Sequence, residues 1–433
     1  MKKEKLFFLL AVLFVTCGKT FAQEDTLKLS LKDLEGLFLE KNAVLLAQKY
    51  EIAANKAQEI QAKLWDNPTL LYEQMLYNNK TNRILPILGL SDAKGVPPTT
   101  QQAVQIQQLF LLANKRTKRL KLAETASKQA ENMYYEVLRN LKFELRRNYY
   151  DAFSLQQILK VYSEQLASLS KTITGMNVLL EKGIVPQKEV TRLDALRFTL
   201  QNEQRDFRNQ LQEKQATIRL IANIPNNAFV SPNMSSTALE NVDLSKLSIA
   251  QIIQKANENR PDLHLQETAL VYEQQNLDLQ KALKTPDIRL GMLYDRSGSS
   301  VPNYFAINAQ IDLPVWNKNQ GNIKTAEMKI QSAQKMVESQ RLQIEREAQI
   351  AYSRAIETSS VLKDYDKKFI QNYDQLISNA KTSYEKQIIS MLEFLDLYES
   401  YKNSTIQMYN LLNDRRNAIE EINYVAGEDL INQ

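Results

Sequence analysis

The sequence predicts a mainly α-helical, internally duplicated protein with a small β part. Three observations carry that expectation. Leu247–Asp295 lies on Leu29–Tyr77 without a gap when shifted by 218 positions: Ser30 meets Ser248, Glu40 meets Glu258, Leu45 meets Leu263, Lys63 meets Lys281 and Pro68 meets Pro286. A repeat of that size with so long a spacer is a half-protein used twice, not a solenoid. Residues 114–182 are interrupted only by Gly175, and residues 318–386 read as a second long helix. Each would span roughly 100 Å at 1.5 Å per residue. Each half also holds two short stretches with apolar and polar residues in alternation, the mark of a strand with two unlike faces.

The elements follow in the same order in both halves. Ser30 is placed to cap a short helix ending near Asn42, and a second helix runs from about Val44 to Trp65. Pro68 stops it and opens a strand over 68–78. Residues 79–101 hold Pro86, Gly89, Gly95 and Pro97-Pro98, a loop. A strand over 102–112 leads into a helical hairpin, 114–222, that turns at Gly183 and Pro186. Within it Leu159, Tyr162, Leu166, Leu169, Ile173, Met176 and Leu180 step by three and four, a heptad seam. Residues 223–247 are rich in Pro, Asn and Ser and read as a linker or an irregular subdomain. The second half repeats the plan over 248–425, with helices 249–259 and 261–283, strands 286–295 and 303–313, and a hairpin 318–425. Across the inter-strand loop the offset falls from 218 to 203, so that Ala103, Gln107, Asn114 and Lys115 meet Ala306, Gln310, Asn317 and Lys318. Residues 426–433 form a tail.

Composition suits long helices. Among 433 residues there are 10 Gly and 11 Pro, and 24% are charged. Residues 1–22 read as a secretion signal: Lys2, Lys3 and Lys5, then the apolar run Leu6–Val15, then Thr20-Phe21-Ala22 before a cut. The alternative is that Cys17, the single cysteine, anchors a lipid. Past this segment no apolar stretch is long enough for a helical membrane span. Once the leader is removed the net charge falls from +5 to about +2, which argues against a nucleic-acid partner.

Four strands with clean two-sided alternation, on an exported chain, admit two arrangements. A soluble sheet would turn its apolar face inward onto a helical layer. A membrane sheet would turn it outward to lipid, with the polar face on a water-filled lumen. Strands of about ten residues have the length that a tilted membrane strand needs. Four strands cannot close a barrel, and an open edge cannot sit in lipid. Two copies give eight strands with a filled interior; three give twelve with room for a channel. The soluble arrangement strains against helices of roughly 100 Å.

Several short motifs, in this order inside the duplicated frame, resemble the TolC-like outer-membrane efflux proteins. They are Asp66-Asn67-Pro68 and Thr285-Pro286-Asp287 at the strand starts, and Asn259-Arg260-Pro261-Asp262-Leu263 between helices. Ile311-Asp312-Leu313-Pro314-Val315-Trp316 follows the last strand, and Tyr384-Glu385-Lys386 with Leu392-Glu393-Phe394-Leu395-Asp396 marks a helix tip. The resemblance covers nearly all of the chain beyond the leader. It implies a homotrimer in the outer membrane, with a 12-stranded β-barrel in lipid and a trimeric α-barrel of coiled-coil hairpins in the periplasm. It places residues 223–247 in an irregular equatorial zone. It implies a passive exit duct for a tripartite efflux or type I secretion system, with a periplasmic adaptor and an inner-membrane pump as partners. It carries a periplasmic gate onto Glu393 and Asp396, and adaptor docking onto the tips Gly183, Ile184, Val185 and Gln387, Ile388, Ile389. The second tip departs from the family pattern: Gln387 stands where Gly is usual, and Ile389 stands near a gate arginine.

His264, the only histidine, reads as a helix-surface residue and not as a metal ligand. Trp65, Tyr72, Tyr77, Tyr294, Tyr304, Phe305 and Trp316 lie near strand ends, where aromatic belts form. The sequence holds no nucleophile–base–acid set, phosphate loop or dinucleotide fingerprint, so neither an enzyme nor a cofactor site is expected. Two alternatives for function stand beside the duct. A periplasmic adaptor would have one hairpin between β domains, and an exported coiled-coil scaffold would not need the alternating strands.

Overall fold

A computed structural model of the chain describes residues 25–78, 83–84, 101–234, 244, 247–297, 301–364 and 367–431. The expected leader with Cys17 lies outside these residues, as does most of the loop between the first two strands. The described elements are β1 (Asp25–Leu29), α1 (Leu31–Lys41), α2 (Ala43–Lys63), β2 (Thr69–Gln74), β3 (Gln102–Phe110), α3 (Lys115–Glu181), α4 (Gln187–Ala222), β4 (Ala228–Pro232), α5 (Ile249–Asn259), α6 (Pro261–Leu283), β5 (Ile288–Ser297), β6 (Pro302–Ile311), α7 (Gln320–Asp364), α8 (Lys367–Glu385) and α9 (Met391–Ala426). A two-residue ladder also pairs Tyr77–Asn78 with Arg83–Ile84.

The repeat is visible in the caps and in what is buried. Ser30 and Ser248 each close a capping box, with Asp33 and with Gln251. Leu34, Phe38 and Leu45 are buried in the first copy; their counterparts Ile252, Ala256 and Leu263 are buried in the second. The contacts gather the chain into two compact units, and each unit takes segments from both repeats. One comprises residues up to 47, 136–260 and from 343 onward; the other comprises 48–135 and 261–342.

In the second of these units β2, β3, β5 and β6 form one sheet in that order, antiparallel throughout. The central pairing, from Ala103 opposite Asp295 to Phe110 opposite Ile288, joins the two halves of the chain. The ladder of the first strand ends at Gln74, short of the expected 78; beyond it the Met75 N–H still donates to the Gln101 carbonyl at 3.0 Å.

The first unit holds the hairpins from residue 136 of α3 and from residue 343 of α7. α3 alone has 67 residues, about 100 Å of helix. The expected seam lies on its inner side: Tyr162, Leu169, Ile173 and Met176 are buried, and Leu166 and Leu180 pack against them. Val190, Leu193 and Leu200 of α4, Tyr384 of α8 and Met391, Phe394 and Tyr398 of α9 complete that core. A second core brings Ile252 of α5 to Ala348, Ala351 and Ala355 of α7 and to Ala418, Ile422 and Val425 of α9.

One feature departs from expectation. Residues 223–247, read as a linker or an irregular subdomain, contain β4, which pairs in parallel with β1 from Asp25 opposite Ala228 to Leu29 opposite Pro232. Gln215 of α4 fixes β4 from both sides, its amide donating to the Val230 carbonyl at 2.7 Å and its Oε1 accepting from the Val230 N–H at 2.8 Å. Over the long helix expected at 318–386, α7 runs to Asp364 and α8 from Lys367, and residues 365–366 lie outside the described residues.

Buried charge ties the chain ends to this unit. Arg146 of α3 donates to Glu35 of α1, to Glu420 of α9 at 2.9 Å and to Asp429 at 2.8 Å. Burial pushes the Glu420 carboxyl above its usual range even beside Arg146. The half-exposed Asp429 goes the other way: burial raises it, but hydrogen bonds from Arg146 and Lys142 outweigh that and hold it below its usual range.

Candidate functional site

The hairpin tips close in the same way despite unlike residues. At the first, the Ile184 N–H donates to the Leu179 carbonyl at 2.9 Å and the Gly183 N–H to the Leu180 carbonyl at 2.8 Å. At the second, Ile388 donates to Ser383 at 2.8 Å and Gln387 to Tyr384 at 2.9 Å. Both are Schellman caps, which need a left-handed residue. Gly183 has φ 71° and Gln387 has φ 58°. Gln387 therefore makes the turn that glycine makes, at the steric cost of its Cβ.

Of the six tip residues, the structure exposes two large apolar side chains, Ile184 at 54% and Ile388 at 70%. Val185, at 7%, turns into the hairpin core, and Ile389 packs against it. The exposed apolar pair is thus Ile184 and Ile388, one on each tip. Leu392, at 71%, adds an exposed apolar residue just past the second tip.

Glu393 and Asp396 lie in the first two turns of α9, three residues apart and therefore on one side of the helix. Both are exposed, and neither has an ion pair among the described residues. Ser390 caps the helix by accepting from the Glu393 N–H at 3.2 Å. Phe394, between the two acids, points the opposite way and stacks on Tyr384, ring centroids 4.7 Å apart. The core thus fixes which face the carboxylates present.

Polar rungs cross the apolar seam between the hairpins. Nearest the tips, the Tyr384 hydroxyl of α8 donates to Glu189 in the first turn of α4 at 3.4 Å. Further along, Glu203 of α4 accepts from Tyr162 of α3 at 3.0 Å and from Lys402 of α9 at 2.9 Å. Beyond that, Asp151 of α3 accepts from Asn413 and Asn417 of α9 at 2.7 and 2.9 Å and pairs with Lys214 of α4 at 2.8 Å. Burial alone would raise Asp151; these donors outweigh it and hold the carboxyl below its usual range. Sequence reasoning missed these residues. The available signal was Lys402, a lysine four residues after Tyr398 in the apolar stripe of α9, since a buried ammonium needs a partner.

The sheet has two unlike faces. On one, matched rows run across all four strands: Leu70, Ile106, Met292 and Ile307, then Tyr72, Val104, Tyr294 and Phe305. Most of these side chains are exposed, Ile307 at 82%. The other face carries Gln105, Gln107, Arg289, Asn308 and Gln310. Gly291 lies in its middle row, where an added Cβ would come within 2.5 Å of Asn308 and 2.7 Å of Gln107. The outer edges of β2 and β6 have no partner strand among the described residues. No helix in the described residues is long and apolar enough to cross a membrane.

Residues 252–428 match the family model described as outer membrane efflux protein. The chain is 20% identical over 414 residues to the cobalt-zinc-cadmium resistance protein CzcC of Cupriavidus metallidurans, covering 94% of this chain and 92% of that one. A membrane protein from Pseudomonas aeruginosa superposes with a TM-score of 0.74 at 16% identity, covering 92% of each chain. The transmembrane channel CusC does so with 0.74 at 16%, covering 94% of each. These likenesses show the fold, in which long helical hairpins accompany a small sheet.

Proposed function

We propose that the chain is the exit duct of an efflux assembly, three copies closing one 12-stranded barrel in the outer membrane above a tube of long hairpins in the periplasm. The observation that carries this is the sheet: its exposed face is apolar, its other face carries Gln105, Gln107, Arg289, Asn308 and Gln310, and neither edge has a partner strand among the described residues. In lipid every backbone group must be paired, so each bare edge needs the edge of another copy. Three copies give twelve strands and a lumen lined by the polar face.

The hairpin tips are the periplasmic end. Ile184 and Ile388 dock the adaptor, through which an inner-membrane pump delivers cargo. Glu393 and Asp396 from three chains place six carboxylates around one axis at the entrance. Such a ring draws cations and repels itself, so it favours opening unless ions or pairs neutralise it. That chemistry suits cationic cargo, and divalent metal ions are the class named for the resistance relative. The rung from Tyr384 to Glu189 is the contact nearest the tips that holds the second hairpin against the first.

The test is single-channel recording of the full-length protein in a planar bilayer. Divalent cations added on the periplasmic side should block the wild type. Glu393→Ala with Asp396→Ala should weaken the block by about tenfold or more, as expected for losing carboxylates from a pore ring. Unchanged block would remove the gate assignment, and absence of conductance would remove the duct.

A further inference from the structure

We propose that the rim where the sheet meets its helices binds anionic phospholipid headgroups, through Arg116, Lys284 and Lys318 beside Trp65 and Trp316. The inference rests on the membrane placement above and adds a lipid class to it. Phe110, the last residue of β3, lies on the apolar face in line with Val104 and Ile106. The Trp65 ring stands edge-on to it, centroids 6.1 Å apart. The Arg116 guanidinium lies 4.2 Å over the Trp65 ring. This stack passes from apolar through aromatic to cation, the sequence of environments met on leaving a bilayer.

The same order recurs after β6. Ile311 and Leu313 carry on the apolar face, Trp316 is 89% exposed, and Lys318 follows two residues later, also exposed. Lys284 is exposed two residues before Pro286, where α6 gives way to β5. None of Arg116, Lys284 and Lys318 has a carboxylate partner among the described residues. Lys115, next to Arg116, shows how such a cation is otherwise satisfied: it is buried, 2.6 Å from Asp287 and 2.6 Å from the Thr285 carbonyl.

The duplication explains why Lys318 lacks such a partner. Lys318 is the counterpart of Lys115, and the counterpart of Asp287 is Thr69, which carries no charge. The cation is present in both copies and the anion in one. Nor do Arg116 and Lys318 serve the helices they precede or begin: α3 and α7 have no acidic residue in their first turns, and a basic residue at a helix start opposes the helix dipole. A counterion from outside the chain fits all three observations, and at this depth the phosphates of the lipid leaflet supply it.

The chain's two tryptophans, Trp65 and Trp316, are both on this rim, so intrinsic fluorescence reports on it alone. Full-length protein is inserted into vesicles in which bromine-labelled phosphatidylglycerol or bromine-labelled phosphatidylcholine is present at one mole fraction in a common background. Bromine quenches on contact. Phosphatidylglycerol should be preferred at least about threefold, as expected for cations held near an anionic surface. Arg116→Gln with Lys284→Gln and Lys318→Gln should bring the preference close to parity. Equal quenching of the wild type by both lipids overturns the proposal whether or not the variant inserts. Loss of the preference on adding inorganic phosphate, but not chloride of the same ionic strength, assigns a free-anion site and also overturns it. If neither lipid quenches, the membrane placement fails and the proposal with it.

Discussion

In the first half of the chain Asn42 stands between the two short helices; in the second half Arg260 stands there. Their apolar neighbours are buried alike, Leu34, Phe38 and Leu45 against Ile252, Ala256 and Leu263. The polar residue between them is also buried in both copies, but its partners differ. Asn42 is satisfied by backbone, donating to the Ile221 carbonyl at 2.7 Å and accepting from the Leu45 N–H at 2.9 Å. Arg260 is charged and pairs with Glu347 of α7. The copies teach that burial fixes the apolar frame, while the polar junction may take any chemistry that leaves no group unpaired. The tips repeat the lesson with backbone: Gly183 and Gln387 make one turn at different cost.

That contrast predicts unequal penalties. Glu347→Ala removes the carboxylate paired with a buried guanidinium and should destabilise the protein by about 3 kcal/mol. Asn42→Ala removes neutral hydrogen bonds and should cost about 1–2 kcal/mol. Denaturant melts of the two purified variants measure the difference, and equal losses would mean that the junctions are equivalent after all. At the tips the two effects are no larger than that of Asn42→Ala and are opposite in sign to each other. Gly183→Ala should cost about 1–2 kcal/mol for forcing a Cβ into the left-handed region. Gln387→Gly should return up to about 1 kcal/mol, less than the full strain because glycine also loosens the unfolded chain. If Gln387→Gly destabilises instead, the glutamine side chain supports the second tip.

Much of the fold was legible because it is local. The steps of three and four from Leu159 to Leu180 need only one helix to be read, and the alternation of Phe305, Ile307, Ala309 and Ile311 needs only one strand. The repeat added the order of elements. What escaped reading is non-local. β1 and β4 are five residues each, and neither has reason to be a strand without a partner about 200 residues away. Glu189, Glu203 and Asp151 look like ordinary solvated acids until Tyr384, Lys402 and Asn413 arrive from another hairpin. The tip residues show both cases: one exposed isoleucine on each turn, at 184 and 388, was readable, whereas the inward turn of Val185 depends on the core it meets.

The central claim is that three chains close one barrel, and the duplication specifies how their edges meet. Within the chain Gln107 of β3 faces Gly291 of β5. Moving each to its counterpart in the other copy puts Gln310 of β6 opposite Glu73 of β2, a pair that occurs only between neighbouring chains. In one chain these residues lie on opposite edges of the four-stranded sheet, roughly 14 Å apart across the strands at about 4.8 Å each and offset by six positions along them, too far for a disulfide. Glu73→Cys with Gln310→Cys should therefore give, on mild oxidation of outer membranes, a covalent product that ends at three chains. A product that stops at two chains, or that stays at one, would contradict the account.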